Sequence, residues 1–307
     1  MTSTALSVTG LTKRYGARTV VEDLDIELPS GVVAGFVGPN GAGKTTTMAM
    51  LLGLVRPTAG TGTVLGSPLG EPAAYLPRVG ALIESPAFYP ALTGTENLGV
   101  FATVAGRPTA PVAGLLETVG LEGRGDDRYR SYSLGMKQRL GIAAALLGDP
   151  DLLILDEPAN GLDPQGVREM RALIGGLAGT GRTVLVSSHD LSELEQVCDW
   201  LVLIDTGRSL YQGPTRALLD GVTGGLTVVA RSLDDHALLA ELLVARGHEV
   251  AARDERLVVA VDGADVADLA ASVNQTAFDA GMVLVELSPL RTTLEDRYLT
   301  MVHGGAR

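Results

Sequence analysis

The sequence predicts an α/β fold with a mainly parallel sheet, followed by a second and smaller α+β domain. In the first part, short apolar segments alternate with helical stretches, which is typical of parallel strands covered by helices on both faces. In the last part, the order of the patterns becomes β, α, β-β, α, β. The apolar segments that we interpret as central strands are VVAGFVG, DLLILDE, TVLVSS and WLVLID.

The change of pattern divides the chain into two predicted domains, 1–220 and 221–307. Helical patterns dominate from about residue 71 to 147, so we expect a helical subdomain inserted into the first domain. The order of strands and helices in the second domain is that of a ferredoxin-like fold. We interpret it as an accessory domain that stabilises a dimer, with a ligand-sensing role as the alternative.

Composition restricts the class of protein. The chain has 307 residues, 46% of them hydrophobic, and a formal net charge of -12. This acidic balance argues against binding to duplex DNA, which requires a basic surface. A single cysteine excludes an internal disulfide framework and favours a reducing compartment. We expect no signal peptide, and the longest apolar runs are shorter than the roughly 20 residues that span a bilayer.

The segment GPNGAGKTT matches the phosphate-binding pattern G-x-x-x-x-G-K-S/T and lies between an apolar strand and a helix. Backbone amides at the start of that helix can face an anion, and glycines permit the close approach. Lys44 is expected at the β- and γ-phosphates of a nucleotide, and Thr45 at Mg²⁺. The predicted contacts are Gly38, Pro39, Asn40, Gly41, Ala42, Gly43, Lys44, Thr45 and Thr46.

Two adjacent acids end the apolar segment DLLIL. Parallel sheets bind ligands at the carboxyl ends of their strands, so an acidic pair there indicates a functional role. We assign Asp156 to Mg²⁺ and Glu157 to the general base that accepts a proton from the attacking water. His189 follows the next strand and can contact the γ-phosphate, although a structural histidine is the stronger interpretation when that residue is taken alone.

Five motifs together resemble one family. GPNGAGKT, SLGMKQR, LLILDEP, NGLD and SSH stand in the order and rough spacing of ATP-binding-cassette (ABC) ATPases. The resemblance covers about residues 6–220. It implies a P-loop NTPase fold, ATP and Mg²⁺ as cofactors, and ATP hydrolysis. Three segments look most like cassettes of antibiotic and lantibiotic exporters of the bacitracin-resistance type, namely LIESPAFYPALTGTENL, YSLGMKQRLGIA and ANGLDPQG.

The resemblance also implies partners. Two cassettes of this family dimerise head to tail, so that Ser133 and Gly135 of one copy contact the γ-phosphate held by Lys44 of the other. A plain helix N-cap at Ser133 is compatible with that contact. The implied machine exports an antibiotic, a lantibiotic or another amphiphile through a separate membrane permease, at the cytoplasmic face of the membrane.

Four further residues acquire roles by the resemblance alone. Tyr15 matches the aromatic residue that stacks on adenine, although a strand-edge tyrosine is the alternative. Asp163 matches the loop that links the two sites across the dimer. His189 matches the switch histidine, and Glu157 matches the catalytic carboxylate.

The chain departs from the common family pattern at two places. Glu84 stands where the family usually has a glutamine near Mg²⁺ and the attacking water, so we count it among the catalytic and metal residues with an added negative charge. The signature reads Tyr132-Ser133-Leu134-Gly135-Met136, without the first glycine of the common Leu-Ser-Gly-Gly-Gln. Both changes are interpreted as marks of the lantibiotic-immunity subgroup.

Three other functions remain open at this point. A cassette ATPase acting on nucleic acid or the ribosome is the main alternative, disfavoured by the acidic charge and by the lack of a long coiled coil. A solute importer is the second alternative. A regulatory nucleotide-binding module with little hydrolysis is the third, and the acid at position 157 argues against it.

Overall fold

The computed structural model describes residues 3–84, 87–107, 111–219, 223–253, 256–261, 266–291 and 293–304. The chain forms two compact units, Met1–Thr215 together with Thr300–Arg307, and Arg216–Leu299. The compact units divide after Thr215, and the predicted domain boundary at residue 220 stays a prediction. The physical reason for this division is that Thr215 is tied to the first unit, because its Oγ1 donates to Cys198 O at 2.7 Å and its backbone N–H to Asp199 O at 2.9 Å.

The secondary structure elements follow in chain order. The strands are β1 (Thr4–Tyr15), β2 (Arg18–Pro29), β3 (Val33–Val37), β4 (Ala59–Val64), β5 (Ser67–Pro68), β6 (Val79–Leu82), β7 (Leu152–Leu155), β8 (Thr183–Ser188), β9 (Trp200–Asp205), β10 (Arg208–Pro214), β11 (Thr223–Ala230), β12 (Val250–Arg253), β13 (Arg256–Val259) and β14 (Leu284–Arg291). The helices are α1 (Lys44–Leu51), α2 (Pro72–Tyr75), α3 (Gly94–Val104), α4 (Val112–Thr118), α5 (Leu134–Leu146), α6 (Pro164–Ala178), α7 (Leu191–Glu195), α8 (Thr215–Leu219), α9 (Leu233–Ala245), α10 (Val266–Asp279) and α11 (Leu294–Gly304).

A six-stranded sheet forms the centre of the first unit, with the strand order β10-β9-β3-β8-β7-β6. Only β10 pairs antiparallel with its neighbour, so the predicted mainly parallel sheet is confirmed. Every residue of β3, β7 and β8 is buried, as expected of parallel strands with both faces covered. The carboxyl ends of these three strands lie side by side at one edge of the sheet.

A second sheet, with the order β2-β1-β4-β5, packs on the first through one hydrophobic core. Strands β1 and β2 form a long antiparallel hairpin whose buried residues alternate with exposed ones over much of its length. Its inward side chains, including Leu24 and Ile26, join Phe36 of β3 and Met48 of α1 in that core. This packing fixes the loop between β3 and α1 relative to the rest of the unit.

The range 71–147, for which a helical subdomain is predicted, is not helical throughout. It contains β6, which is the edge strand of the central sheet and pairs in parallel with β7. The sequence hides this strand because it is only four residues long and includes Gly80. That glycine is required by packing, since a Cβ at Gly80 would lie 2.2 Å from Ala145 O of α5. The inserted helices α3, α4 and α5 follow the strand.

Strand and helix bounds in the second unit confirm the predicted order β-α-β-β-α-β, here β11, α9, β12, β13, α10 and β14. The four strands form an antiparallel sheet with the order β12-β13-β11-β14. Its core joins Leu226 and Val228 of β11 to Leu239 and Leu243 of α9 and to Val273 of α10.

Within the described ranges, no helix has both the length and the hydropathy needed to cross a membrane.

Candidate active site

The loop between β3 and α1 has a shape that only glycine permits at several positions. A Cβ at Gly38 would lie 2.3 Å from Ile204 O, so a larger residue there would displace the backbone. Gly41 and Gly43 have φ angles of 86° and 102°, in the left-handed region that favours glycine. The spacing of glycines in the sequence motif is therefore explained by close packing and by backbone conformation.

The start of α1 is open to an anion. Its N-cap is Gly43, which has no side chain to accept hydrogen bonds from the first turn, and that turn holds no acidic residue. The free N–H groups and the positive end of the helix dipole favour a phosphate at this point.

Lys44 is buried at 6% exposure and directs its ammonium group back along the loop. Its Nζ donates to Gly38 O at 2.7 Å and to Pro39 O at 3.4 Å, and lies 3.3 Å from Glu157 Oε1. The loop lysine is thus paired with the acid that we assign as general base. A phosphate entering the loop competes with Glu157 for the same cation.

The acidic pair after β7 is held by hydrogen bonds from three directions. Asp156 is 6% exposed, and its Oδ2 accepts from Thr45 Oγ1 at 2.7 Å. Its Oδ1 accepts from Ser187 Oγ at 2.6 Å. Glu157 Oε2 lies 2.8 Å from His189 Nδ1. A carboxylate only accepts, so Nδ1 of His189 carries the proton of this bond and Nε2 is the acceptor in the neutral ring.

A cavity of about 500 Å³ opens over these residues, which is within the usual size range of small-molecule sites. The structure brings the predicted Lys44, Thr45, Glu157 and His189 together in its lining. Arg18, Val20 and Asn160 also line it and were not predicted as site residues. No local motif marks Arg18 or Val20, whereas Asn160 is the first residue of the NGLD motif. The complete lining is Arg18, Val20, Pro39, Asn40, Gly41, Gly43, Lys44, Thr45, Thr46, Glu157, Asn160 and His189.

A second groove, of about 630 Å³, contains the signature residues. Ser133 caps α5 by accepting from Met136 N at 3.3 Å, and Asp163 caps α6 by accepting from Gly166 N at 2.7 Å. Both line this groove, together with Gly135. Among the described residues, no side chain lines both cavities. Within one chain, the signature and the phosphate loop are therefore separate sites.

Apart from the residues of the signature groove, five predicted site residues lie outside the lining of the phosphate cavity. Gly38, Ala42 and Asp156 are chain neighbours of lining residues, whereas Tyr15 and Glu84 are not. Tyr15 is 51% exposed at the end of β1, with Lys13 Nζ 4.8 Å from its ring centroid. Its cross-strand partner Arg18 does line the cavity. Glu84 follows β6 as an exposed residue with a φ of 58°, and its carboxylate makes no hydrogen bond within the described part of the chain.

Two acids shape the segment after His189. Asp190 caps α7 and accepts from Ser192 Oγ at 2.6 Å, and this hydrogen bond, the largest cause, lowers the pKa of Asp190. Burial raises the pKa of Glu193, and the charge of Asp190 adds to that rise. The ionised Asp190 thus anchors the turn that presents His189 to Glu157.

The fold and this site define a P-loop nucleotide-binding protein, and comparison with known proteins narrows the class. A family model described as "ABC transporter" matches residues 21–160. The bacitracin transport ATP-binding protein BcrA of Bacillus licheniformis is 46% identical over 69% of this chain and 70% of its own length. The protein of that name from Enterococcus faecalis is 36% identical over 96% of this chain and 95% of its own length. The lantibiotic transport ATP-binding protein SrtF of Streptococcus pyogenes is 40% identical over 67% of this chain and 90% of its own length.

Solved structures agree with these relatives. An ATP-binding subunit of an ABC transporter superposes with a TM-score of 0.62 at 32% identity, covering 70% of this chain and 91% of its own. The chain belongs to the family of ABC transporter ATP-binding proteins, and it is an ATP-hydrolysing cassette. The predicted P-loop cassette fold and the ATPase activity are confirmed.

Proposed function

We propose that this chain is the ATP-hydrolysing subunit of an ABC exporter that removes an antibiotic, a lantibiotic or a related amphiphile through a separate permease. The observation that carries the proposal is the site itself, where Lys44, Thr45, Asp156, Glu157 and His189 meet around one phosphate-binding loop. The names of the relatives support the exporter class, since all three refer to transport of bacitracin or a lantibiotic.

The residues at the loop also fit Mg²⁺. Thr45 Oγ1 and Asp156 Oδ2 lie 2.7 Å apart, so two oxygen donors converge at one point beside the phosphate loop. No cluster of three or more His, Cys, Asp or Glu side chains suited to a metal is found in the described residues. That matches Mg²⁺, which is usually bound by one or two protein oxygens together with substrate phosphates. When bound, the ion balances negative charge on the β- and γ-phosphates.

Catalysis in this site depends on position and charge. Lys44 must leave Glu157 and turn towards the phosphates when ATP enters, because both anions require the same ammonium group. Glu157 is then free to orient a water molecule and accept its proton. His189 keeps Glu157 in place through Nδ1. For Nε2 to donate to the γ-phosphate at the same time, the ring must carry both protons.

The proposed assembly is a head-to-tail dimer of two copies. Its support is the separation of the two grooves, since Ser133, Gly135 and Asp163 do not line the phosphate cavity of their own chain. A second copy can bring its signature groove to the phosphates, where the N-terminus of α5 would face the anion. Tyr15 is proposed to complete the site by stacking on the adenine ring. Glu84 is proposed to contact the attacking water.

We place the dimer at the cytoplasmic face of the membrane, bound to the permease, with the second unit as an accessory domain. The relative from Enterococcus faecalis covers almost the whole chain, so the two-unit organisation is consistent with that of a transport cassette.

Two measurements test the proposal. Lys44→Ala is expected to weaken ATP binding by about 100-fold or more, because the charge-assisted contact to the phosphates is lost. Co-expression of the chain with its permease in a susceptible host is expected to raise resistance to bacitracin or a lantibiotic. The Lys44→Ala variant is expected to give no such increase in resistance. Normal ATP affinity in Lys44→Ala contradicts the site. Solute uptake instead of resistance contradicts the export direction.

A further inference from the structure

The penultimate residue of strand β8, Ser187, carries a hydroxyl group that is fully buried. All six residues of β8 are buried, and Ser187 has an exposure of 0%. A hydroxyl in such a position costs free energy unless it has hydrogen-bond partners. Its partners therefore explain why a serine stands at this point of a wholly buried central strand.

Ser187 Oγ joins the two acids of the site. It donates to Asp156 Oδ1 at 2.6 Å and accepts from the backbone N–H of Glu157 at 2.8 Å. The other oxygen of Asp156 accepts from Thr45. A continuous chain of hydrogen bonds thus runs from the Glu157 backbone through Ser187 and Asp156 to the loop threonine. A hydroxyl both donates and accepts strongly at a single atom, whereas a thiol does both only weakly.

The backbone of Glu157 needs this support. Its φ angle is 48°, a left-handed conformation that is disfavoured for a residue with a Cβ atom. Such a conformation persists only where the surroundings fix it. The bond from Glu157 N to Ser187 Oγ, together with the turn closed by Asn160 N to Glu157 O at 3.1 Å, holds the residue there.

We propose that Ser187 is a positioning residue for ATP hydrolysis, which fixes the rotamer of Asp156 and the backbone of Glu157 at the same time. The inference rests on the proposed roles of Asp156 and Glu157. Ser187 does not touch the nucleotide cavity, so it acts only through these two acids. Loss of the hydroxyl leaves the Glu157 N–H without its acceptor and one oxygen of Asp156 without its donor.

The test compares Ser187→Ala with Ser187→Thr, which keeps a hydroxyl, and with Ser187→Cys, which keeps only a weak donor and acceptor. The control is Thr183→Val at the other end of the same strand. Thr183 is 2% exposed and accepts from Gly31 N at 2.9 Å, so its loss removes a comparable buried hydrogen bond away from the site. Steady-state ATP hydrolysis, ATP binding in EDTA and the thermal midpoint are measured for each purified chain.

We expect kcat to fall about 10- to 100-fold in Ser187→Ala and Ser187→Cys, with ATP affinity in EDTA within about twofold of the parent chain. Ser187→Thr should recover most of the kcat, and Thr183→Val should keep it whatever its thermal midpoint. A kcat within about twofold of the parent in Ser187→Ala overturns the inference. The inference is also overturned if Ser187→Thr shows the same loss of kcat as Ser187→Ala although the thermal midpoint of Ser187→Thr is unchanged.

Glu157→Gln in the same assay separates the two proposals. If that variant loses turnover and Ser187→Ala does not, only the role of Ser187 is wrong. If Glu157→Gln retains turnover, the proposed mechanism is wrong and the role of Ser187 is wrong with it.

Discussion

Replacing Glu157 by glutamine should tighten the binding of ATP as well as stop its hydrolysis. In the structure, Glu157 Oε1 lies 3.3 Å from Lys44 Nζ, and the two side chains are 21% and 6% exposed. Unit charges at that distance attract by about 5 kcal/mol at an effective dielectric constant of about 20 and by about 1.3 kcal/mol in water. An entering phosphate must displace this interaction.

The net effect is smaller than the gross attraction, because Glu157 is partly solvated and Lys44 keeps its two carbonyl partners. We take about 1–2 kcal/mol as the penalty that Glu157→Gln removes. This corresponds to a dissociation constant for ATP that is about 5- to 30-fold lower. Calorimetric titration with ATP in the absence of Mg²⁺ measures it, so that the metal does not contribute.

Asp149→Asn is the matched control for this prediction. Asp149 has the same φ of 48° and pairs with a basic residue, Arg182, but it does not line the phosphate cavity. Its substitution is expected to leave ATP affinity unchanged. An equal or weaker affinity in Glu157→Gln, at an unchanged thermal midpoint, would refute the competition between the acid and the phosphate for Lys44.

Three further predictions concern the loop, the cysteine and the second unit. Gly38→Ala should reduce ATP affinity at least about 10-fold, because the new Cβ would lie 2.3 Å from Ile204 O and displace the loop; retained affinity in a titration contradicts this. Burial raises the pKa of the Cys198 thiol, so the folded chain should stay inert to iodoacetamide as the pH rises through about 8.5, where an unfolded cysteine ionises; rapid native labelling, followed by mass spectrometry, would contradict it. Leu239→Ala, fully buried in the second unit, should lower the free energy of unfolding by about 2–5 kcal/mol in urea titrations, and an unchanged value would mean that this core is not formed.

The sequence predicts most of the phosphate site because the site is built from local patterns. The motif around Lys44 is a single strand–loop–helix segment, and the acids at 156 and 157 end an apolar strand, so neighbours in the chain determine both. The parallel order of the strands then places His189 at the same edge as Glu157, and the structure shows them 2.8 Å apart. Long-range pairing follows here from a rule of sheet topology.

The sequence does not reveal features that depend on distant segments. Arg18 enters the cavity lining because the β1–β2 hairpin folds over the loop, and no local motif marks it. Strand β6 was missed because four residues containing a glycine give too weak a pattern. Ser187 was also missed, although a serine within a wholly buried strand next to an acidic pair is a signal that a search for buried hydroxyl groups would find.

The central claim is that two copies of the chain share each nucleotide. The most direct test is the molar mass of the Glu157→Gln variant in solution with ATP and Mg²⁺. We expect light scattering of Glu157→Gln to give twice the mass of one chain. In the double variant that also carries Gly135→Asp, we expect the mass of one chain, with unchanged ATP affinity. A Cβ at Gly135 meets only Leu162 Cδ2, at 3.6 Å, so the own chain has room for the first atom of the new side chain. The added carboxylate would repel the phosphates held by the partner copy. A single mass for Glu157→Gln, or a dimer that survives Gly135→Asp, would contradict the claim.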